Sequence, residues 1–343
     1  MNKVQNAIIE FGNYNQIKMD KYASDEYMDT VGNEEYIPDN YIGKDLFEEH
    51  VNNWLEFFDE EDKDVFLELL KHYRYFTRSQ FRKIMNEFRR VIIEKLSLEI
   101  EQDNVLVITF PSKRGVASGG DVIRAIFEEV SIGKFKKHQI ISDTDKVDIK
   151  ILDEIKYIFF VDDLVGSGTT MYGNIRRTYE KLQLNLKPDI KLFIITIYAN
   201  EERIKKKIKE LEEKENILID SLYIHEGAQK CFEMEQLGDR NKREEYRAVV
   251  EKYEQLIEKN KLDGDEEKDS ILGFQKGQLL VSFHYNTPNN TLSTFWRPST
   301  ISVPLFIRNT YIRPSVKSIR EKKKRFQENG YKMRKLQNGI KSE

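Results

Sequence analysis

The chain has 343 residues, of which 39% are hydrophobic and 34% charged, and a formal net charge of −3. This composition predicts a water-soluble protein with one α/β core and large additions, or two modest domains. The small net charge argues against a general nucleic-acid coat protein. Cys231 is the only cysteine, which excludes an internal disulfide and fits a reducing cytoplasm. Apolar runs such as 192–199 are too short to cross a bilayer, and residues 1–6 lack a signal-peptide core, so we expect a cytoplasmic protein without membrane contact.

The first hundred residues carry no recognisable motif and are treated as an N-terminal arm and helical region, 1–100. Residues 1–40 are polar and mixed, which is typical of strands or of a partly ordered arm. From 44 to 100, apolar residues recur mainly at three- and four-residue steps, which predicts helices. The aromatic residues of this region are interpreted as helix packing.

The segment 101–224 alternates strand and helix patterns, which predicts an α/β core with a mainly parallel sheet and flanking helices. The predicted strands cover 105–110, 139–142, 157–161, 190–198 and 217–224, and the predicted helices lie near 121–130, 170–184 and 200–214. We predict that the core domain spans 101–314, with a charged helical insertion near 228–262, and that a basic tail follows at 315–343.

A loop after the first core strand contains Lys113, Arg114 and Gly115. Cationic side chains beside glycine N–H groups suit a polyphosphate ligand. A solvated turn would have the same composition. The sequence therefore leaves a phosphate site and an ordinary turn open at this loop.

The most informative segment is the apolar run Tyr157–Val161, which is followed by two adjacent carboxylates and a small-residue loop. Asp162 and Asp163 come at the end of a strand with the apolar pattern of a buried parallel sheet, where ligands of open α/β sheets bind. Glycines in the loop permit close approach of a ligand, and a helix that begins after them directs free N–H groups to the same place. The loop consists of Gly166, Ser167, Gly168, Thr169 and Thr170. Ordinary turn chemistry with a threonine N-cap fits these residues as well.

This segment resembles the phosphoribosyl pyrophosphate signature of type I phosphoribosyltransferases. That signature has a hydrophobic strand, two acidic residues, two apolar residues, a short Thr/Gly loop and a closing Thr. Here these parts are Asp162-Asp163, Leu164-Val165, Gly166-Ser167-Gly168-Thr169 and Thr170, at matching length. The resemblance implies that the acids contact the ribose 2′ and 3′ hydroxyls and that the loop 166–170 holds the 5′-phosphate.

The same resemblance implies that Lys113, Arg114 and Gly115 bind the pyrophosphate, and that Mg²⁺ is held mainly through the pyrophosphate and ribose of the ligand. Asp162, Asp163, Lys113 and Arg114 are then the catalytic candidates. One departure is Gly166, because purine-using members of the family often carry an Asp there that helps to activate the base. A purine-salvage reaction is therefore disfavoured.

Residues 131–156 are polar and rich in lysine. Related enzymes carry a mobile, often basic loop at this position, which closes over the reacting sugar and excludes water. A short antiparallel hairpin with a solvated face fits the composition equally well. Both interpretations stay open.

A strand predicted at 279–283 leads into a segment rich in amides, hydroxyls and aromatics, 284–298. Such side chains can recognise a nucleobase, although Pro-Asn-Asn is also turn chemistry. The segment resembles a phosphoribosyltransferase-like effector branch found in bacterial anti-phage and retron systems. We therefore expect a base or acceptor near Asn286, Asn289, Asn290 and Trp296.

Taken together, the sequence predicts a phosphoribosyltransferase-like protein that binds phosphoribosyl pyrophosphate or a nucleotide and acts at the anomeric carbon of ribose-5-phosphate. The expected biological role is that of an anti-phage defence effector. The competing hypothesis is a non-catalytic nucleotide sensor or assembly module on a nucleic-acid-containing partner, such as a reverse transcriptase–nucleic acid complex. The basic tail can contact a phosphate backbone or form a solvated helix. A homo-oligomer is compatible with either hypothesis.

Overall fold

The computed structural model describes residues 2–17, 47–95, 104–110, 119–132, 135, 139–142, 152–262, 265 and 270–308. The chain divides into two compact units. We call Met1–Phe76 with Lys230–Glu343 the split unit, because two distant chain segments form it, and Thr77–Gln229 the sheet unit. This division differs from the predicted boundary near residue 100 and assigns most of 228–262 to the split unit.

The described residues contain nine α-helices and seven β-strands. The helices are α1 Lys3–Tyr14, α2 Phe47–Leu55, α3 Lys63–Lys71, α4 Arg78–Lys95, α5 Gly119–Val130, α6 Thr169–Lys181, α7 Glu201–Glu215, α8 Arg240–Lys259 and α9 Ser293–Trp296. The strands are β1 Arg74–Phe76, β2 Val105–Thr109, β3 Ile140–Ile141, β4 Tyr157–Val165, β5 Lys191–Ala199, β6 Ser221–Gly227 and β7 Val281–Phe283. Within the described residues, no helix is both long enough and apolar enough to span a membrane.

The sheet unit contains a five-stranded sheet in the order β3-β2-β4-β5-β6, and all its pairings are parallel. The central strands are apolar on both faces because helices cover both of them. On one face, Ile158 and Phe160 of β4 pack with Met171 and Ile175 of α6. On the other face, the ring of Phe88 in α4 meets the ring of Tyr223 in β6 edge to face, with centroids 5.8 Å apart. The predicted α/β fold with a parallel sheet is confirmed.

The split unit has its own core of buried aliphatic and aromatic side chains. Trp54 of α2 is buried, and its indole N–H donates to the Thr294 carbonyl at 2.9 Å. β1 and β7 form a short parallel pair in this unit. The buried Asn15 connects to that pair, because its Oδ1 accepts from the Tyr75 N–H and its Nδ2 donates to the Tyr73 carbonyl at 2.7 Å.

One predicted element of the split unit differs from the structure, and another agrees with it. Residues 1–40 were expected to form strands or a partly ordered arm, but Lys3–Tyr14 is a helix with a capping box between Asn2 and Gln5. It buries Phe11 on its apolar side. The predicted long helical segment 228–262 contains one long helix, α8, after two short 3-10 turns.

Candidate functional site

The acid pair lies inside β4 rather than after it, because the strand continues to Val165. Asp162 Oδ1 accepts the backbone N–H of Asp163 at 3.0 Å, and Asp163 Oδ1 accepts that of Leu164 at 2.7 Å. Each carboxylate therefore satisfies a main-chain donor beside it. The two side chains also interact with each other through a hydrogen bond, although consecutive residues of a strand start toward opposite faces.

Asp162 lies on the face of the sheet that α6 and α7 cover. Its neighbour in β5 is Thr196, whose hydroxyl is buried and has no hydrogen-bond partner within the described structure. Burial raises the pKa of the Asp162 carboxyl well above its ordinary value of 3.8, and the charge of Asp163 raises it further. Asp162 therefore holds its proton over a wider pH range than an exposed aspartate.

Asp163 lies against the first residue of α5. A Cβ atom on Gly119 would overlap Asp163 Oδ2, so only glycine fits beside this carboxylate without a shift. The next residue is equally restricted, since a Cβ on Gly120 would overlap the carbonyl oxygen of Phe110. Phe110 and Gly119 are the described residues on either side of 111–118.

The loop after β4 has the conformation that its glycines permit. Gly168 has a φ of 76° and is the N-cap of α6. A Cβ on Gly168 would also come within 2.7 Å of the Lys207 Cγ atom of α7. Ser167 Oγ accepts the backbone N–H of Thr169 at 3.3 Å. Thr169 and Thr170 are exposed in the first turn of α6, where helical N–H groups have no intrahelical acceptor.

The order of the strands brings the acid pair, the loop 166–170 and the start of the segment 111–118 to neighbouring strand ends of the sheet. The chain leaves β2, forms β3 on one side of it, and returns on the other side as β4. The carboxyl ends of β2 and β4 therefore border the point where the strand order reverses, which is where open α/β sheets bind ligands. The acid pair and the loop 166–170 belong to β4, and the segment 111–118 follows β2.

The family model PRTase-CE, which describes phosphoribosyltransferase-like effectors, matches residues 51–308. The chain belongs to this family. The match covers most of the chain and includes parts of both units. Among curated proteins, none matches the chain.

Several residues of the PRTase-CE chain that were predicted to bind ligand are not described. Lys113, Arg114 and Gly115 lie outside the described residues, as do most of 131–156 and the tail 315–343. In the described part of 131–156, Ile140–Ile141 pairs in parallel with β2. The roles of these segments stay predictions.

The predicted base-contact residues belong to the split unit. Asn286, Asn289 and Asn290 are half-buried in a turn network, in which the Phe283 N–H donates to the Asn286 carbonyl and Asn290 Nδ2 donates to the Phe274 carbonyl at 3.1 Å. Trp296 is fully buried, and its indole N–H donates to the Thr291 carbonyl at 2.8 Å. Such burial means that Trp296 would have to move to offer its ring face to a base, and its predicted role stays untested.

Three residues of the site were not predicted from the sequence. The Gly119-Gly120 pair is visible in the sequence before a helix pattern, and this signal for close packing was available. Thr196 gives no such signal, because its position beside Asp162 depends on the register between β4 and β5.

The side chains that could coordinate Mg²⁺ limit how the ion can bind. Within the part of the chain that the structure describes, no group of three or more His, Cys, Asp or Glu side chains could hold a metal ion. Mg²⁺ is commonly bound through one or two carboxylates together with substrate phosphates and water. Asp162 and Asp163 fit that limited role.

Proposed function

We propose that this PRTase-CE protein binds phosphoribosyl pyrophosphate or a nucleotide at the carboxyl ends of β2 and β4 and acts at the anomeric carbon of the ribose-5-phosphate. The observation that carries the proposal is the reversal of strand order between β2 and β4, beside which lie the acid pair, the loop 166–170 and Gly119. A diphosphorylated ribose needs a diol acceptor and two phosphate sites. The acid pair is the candidate diol acceptor, the loop 166–170 is the candidate for one phosphate site, and the segment with Lys113 and Arg114 is proposed for the other.

In the proposed complex, Asp163 accepts hydrogen bonds from a ribose hydroxyl, and Asp162 contributes a second polar contact. The first-turn N–H groups and hydroxyls of Thr169 and Thr170 bind the 5′-phosphate. Lys113 and Arg114 stabilise the charge of the departing pyrophosphate. Binding energy from the remote phosphate then positions the anomeric carbon for reaction.

Mg²⁺ belongs to the same proposal. Asp162 and Asp163 would hold it together with oxygens of the ligand, and the ion would neutralise charge on the leaving pyrophosphate. The carboxylates themselves favour the positive charge that develops at the anomeric carbon in the transition state.

The absence of a side chain at Gly166 favours a second candidate function, that of a non-catalytic nucleotide sensor. The position that often carries a base-activating Asp in purine-using relatives has no side chain here. A sensor would bind ligand without turnover and pass the signal to another component. In either form we propose that the protein serves as an effector in bacterial anti-phage defence, with a reverse transcriptase–nucleic acid complex as a candidate partner.

Incubation of the full chain with Mg²⁺, phosphoribosyl pyrophosphate and a nucleotide panel tests these proposals. We expect binding in calorimetry and, for the enzyme, ribose-5-phosphate products in mass spectrometry; binding without product supports the sensor. The double variant Asp162→Asn, Asp163→Asn should lose binding. Asp189→Asn, an exposed turn residue of the sheet unit, is the matched control. If no ligand of the panel binds, or if the double variant binds as well as the unaltered protein, the proposal is wrong.

A further inference from the structure

The outward face of α4 is strongly basic. From Arg78 to Arg90 the helix has one acidic residue, Glu87, and five cationic residues, in a chain whose net charge is −3. At 3.6 residues per turn, the five cations fall within an arc of about 140°. They are Arg78, Arg82, Lys83, Arg89 and Arg90. All but the half-buried Arg89 are exposed.

The acidic residue of this stretch turns away from the basic arc. Glu87 accepts a hydrogen bond from the Tyr223 hydroxyl and lies 3.3 Å from His225 Nδ1, so it is engaged by β6. On the arc itself, Arg89 donates to Asn86 at 2.9 Å, a neutral partner. Arg82 pairs with Glu129 of α5 at 2.9 Å but keeps 60% of its side chain exposed. Arg82 therefore keeps part of its charge toward solvent, and the contact of Arg89 adds no negative charge to the arc.

The opposite side of α4 packs in the sheet unit. Phe81, Ile84, Met85 and Phe88 are buried there. A helix fixed in this way presents its cations on a rigid support rather than on a flexible tail. Rigid presentation lowers the conformational entropy that a bound partner would otherwise remove.

We propose that the basic arc of α4 binds the phosphate backbone of a nucleic acid. Arginine predominates in the arc, and its planar guanidinium matches phosphate oxygens in a bidentate manner. The arc has one apolar residue, the half-buried Ile93, and no aromatic residue. An acidic protein partner would need an apolar interface core, which the arc does not offer. The absence of aromatic residues also predicts backbone contacts without stacking on bases.

The dimensions of the arc agree with this partner. Residues 78 to 90 rise by about 18 Å along the helix axis. One strand of a duplex carries a phosphate about every 3.4 Å along its axis, so the arc can meet about five phosphates. Binding of this kind releases counterions, and it weakens steeply with salt and responds little to sequence.

Fluorescence anisotropy on the full chain tests the proposal with labelled oligo-dT, mixed-sequence duplex DNA and RNA of about 20 nucleotides, at about 50 to about 200 mM KCl. We expect the double variant Arg78→Gln, Lys83→Gln to bind more weakly at every salt concentration. The slope of log affinity against log salt should fall by about 2, one for each cation removed. The three probes distinguish single-stranded from duplex and DNA from RNA backbones.

The matched control removes two lysines from α7. Lys205 pairs with Glu201 at 2.6 Å and Lys209 with Glu213 at 3.5 Å. The variant Lys205→Gln, Lys209→Gln changes the net charge equally and should keep the salt slope. An unchanged slope in the α4 variant, an equal loss in the control, or tighter binding of poly-glutamate than of every oligonucleotide would overturn the proposal. Circular dichroism must show that both variants are folded.

Discussion

The two neighbouring aspartates of β4 have different surroundings, and this difference should separate their functions. The pKa of the Asp162 carboxyl is raised well above 3.8 by burial and by the charge of Asp163. A protonated Asp162 resembles an asparagine in shape and charge. The carboxylate of Asp163, by contrast, lies against Gly119 at the start of α5.

We predict that Asp162→Asn changes the affinity for phosphoribosyl pyrophosphate only slightly, whereas Asp163→Asn weakens it by about 10- to 150-fold. The larger effect corresponds to loss of a charged hydrogen bond, which contributes about 1.5–3 kcal/mol. Calorimetry on the two single variants measures both effects. Equal losses would show instead that the acids act as one symmetric clamp.

The free energy of unfolding tests the raised pKa of Asp162 without any ligand. Because the folded state raises the pKa of Asp162, the stabilisation from its proton is complete below pH 3.8 and is lost as the pH rises through the folded-state pKa. Asp162→Asn removes this titration. The variant should therefore be more stable than the unaltered sheet unit at neutral pH, as followed by circular dichroism.

At the scale of elements, the contact between the start of α5 and β4 decides whether the site can form. Gly119→Ala would place a methyl group on the Asp163 carboxylate. We predict that this variant folds but binds phosphoribosyl pyrophosphate at least about tenfold more weakly, which corresponds to about 1.4 kcal/mol from the displaced carboxylate.

Gly173 is the matched control for this substitution. It lies inside α6, and a Cβ there meets no atom within 4 Å. Gly173→Ala should leave binding unchanged and stabilise the helix by about 0.5–1 kcal/mol. Calorimetry and thermal unfolding are the measurements. If Gly119→Ala binds like the unaltered protein, the carboxylate of Asp163 is free to move and the packing argument is wrong.

The core elements could be predicted from the sequence because their signals are local. Runs such as 157–161 and 190–198 are apolar on both faces, and they gave strands within a few residues of β4 and β5. β7 lies within the strand predicted at 279–283. β1 and its pairing with β7 were not predicted, because the two strands have three residues each and are far apart in the chain. No local pattern marks such a pair.

The site residues were also predictable only where their signal in the sequence is local. The loop 166–170 is a contiguous motif and could be found in the sequence. The position of Thr196 beside Asp162 could not, because it depends on which strands pair and in which register. Helix α1 was missed because its buried Ala7, Ile8 and Phe11 are outnumbered by polar residues in a short segment.

At the scale of the whole molecule, the separate core of the split unit explains why the predicted domain boundary differs from the observed division. One core draws on residues from 7 to 75 and from 231 to 306, and the other on residues from 106 to 217. A sequence pattern read in chain order does not indicate that residues before 77 and after 229 share a core. The two tryptophans, Trp54 and Trp296, are both buried in the split unit, so tryptophan fluorescence reports on that unit.

Glu254 of α8 has a fully buried carboxyl that hydrogen-bonds to two other segments of the split unit. It accepts backbone N–H groups from Leu272, from Ser293 and, at 3.3 Å, from Thr294. Burial raises its pKa from 4.5 to about 7. The folded state then binds the proton more tightly than the unfolded state. The stabilisation from that proton is complete below pH 4.5 and is lost as the pH rises to about 7.

We predict that Glu254→Gln destabilises the split unit by about 1–3 kcal/mol, because the amide presents N–H groups to buried N–H donors. The variant should also lose the titration, so its stability deficit should be largest near pH 4.5 and should shrink toward pH 7. Urea unfolding followed by tryptophan fluorescence measures both effects. Glu244→Gln on the same helix, where the side chain is 60% exposed, should keep the pH dependence of the unaltered protein. A deficit that stays constant from pH 4.5 to 7 would mean that Glu254 is ionised throughout, with its three N–H donors outweighing the cost of burial.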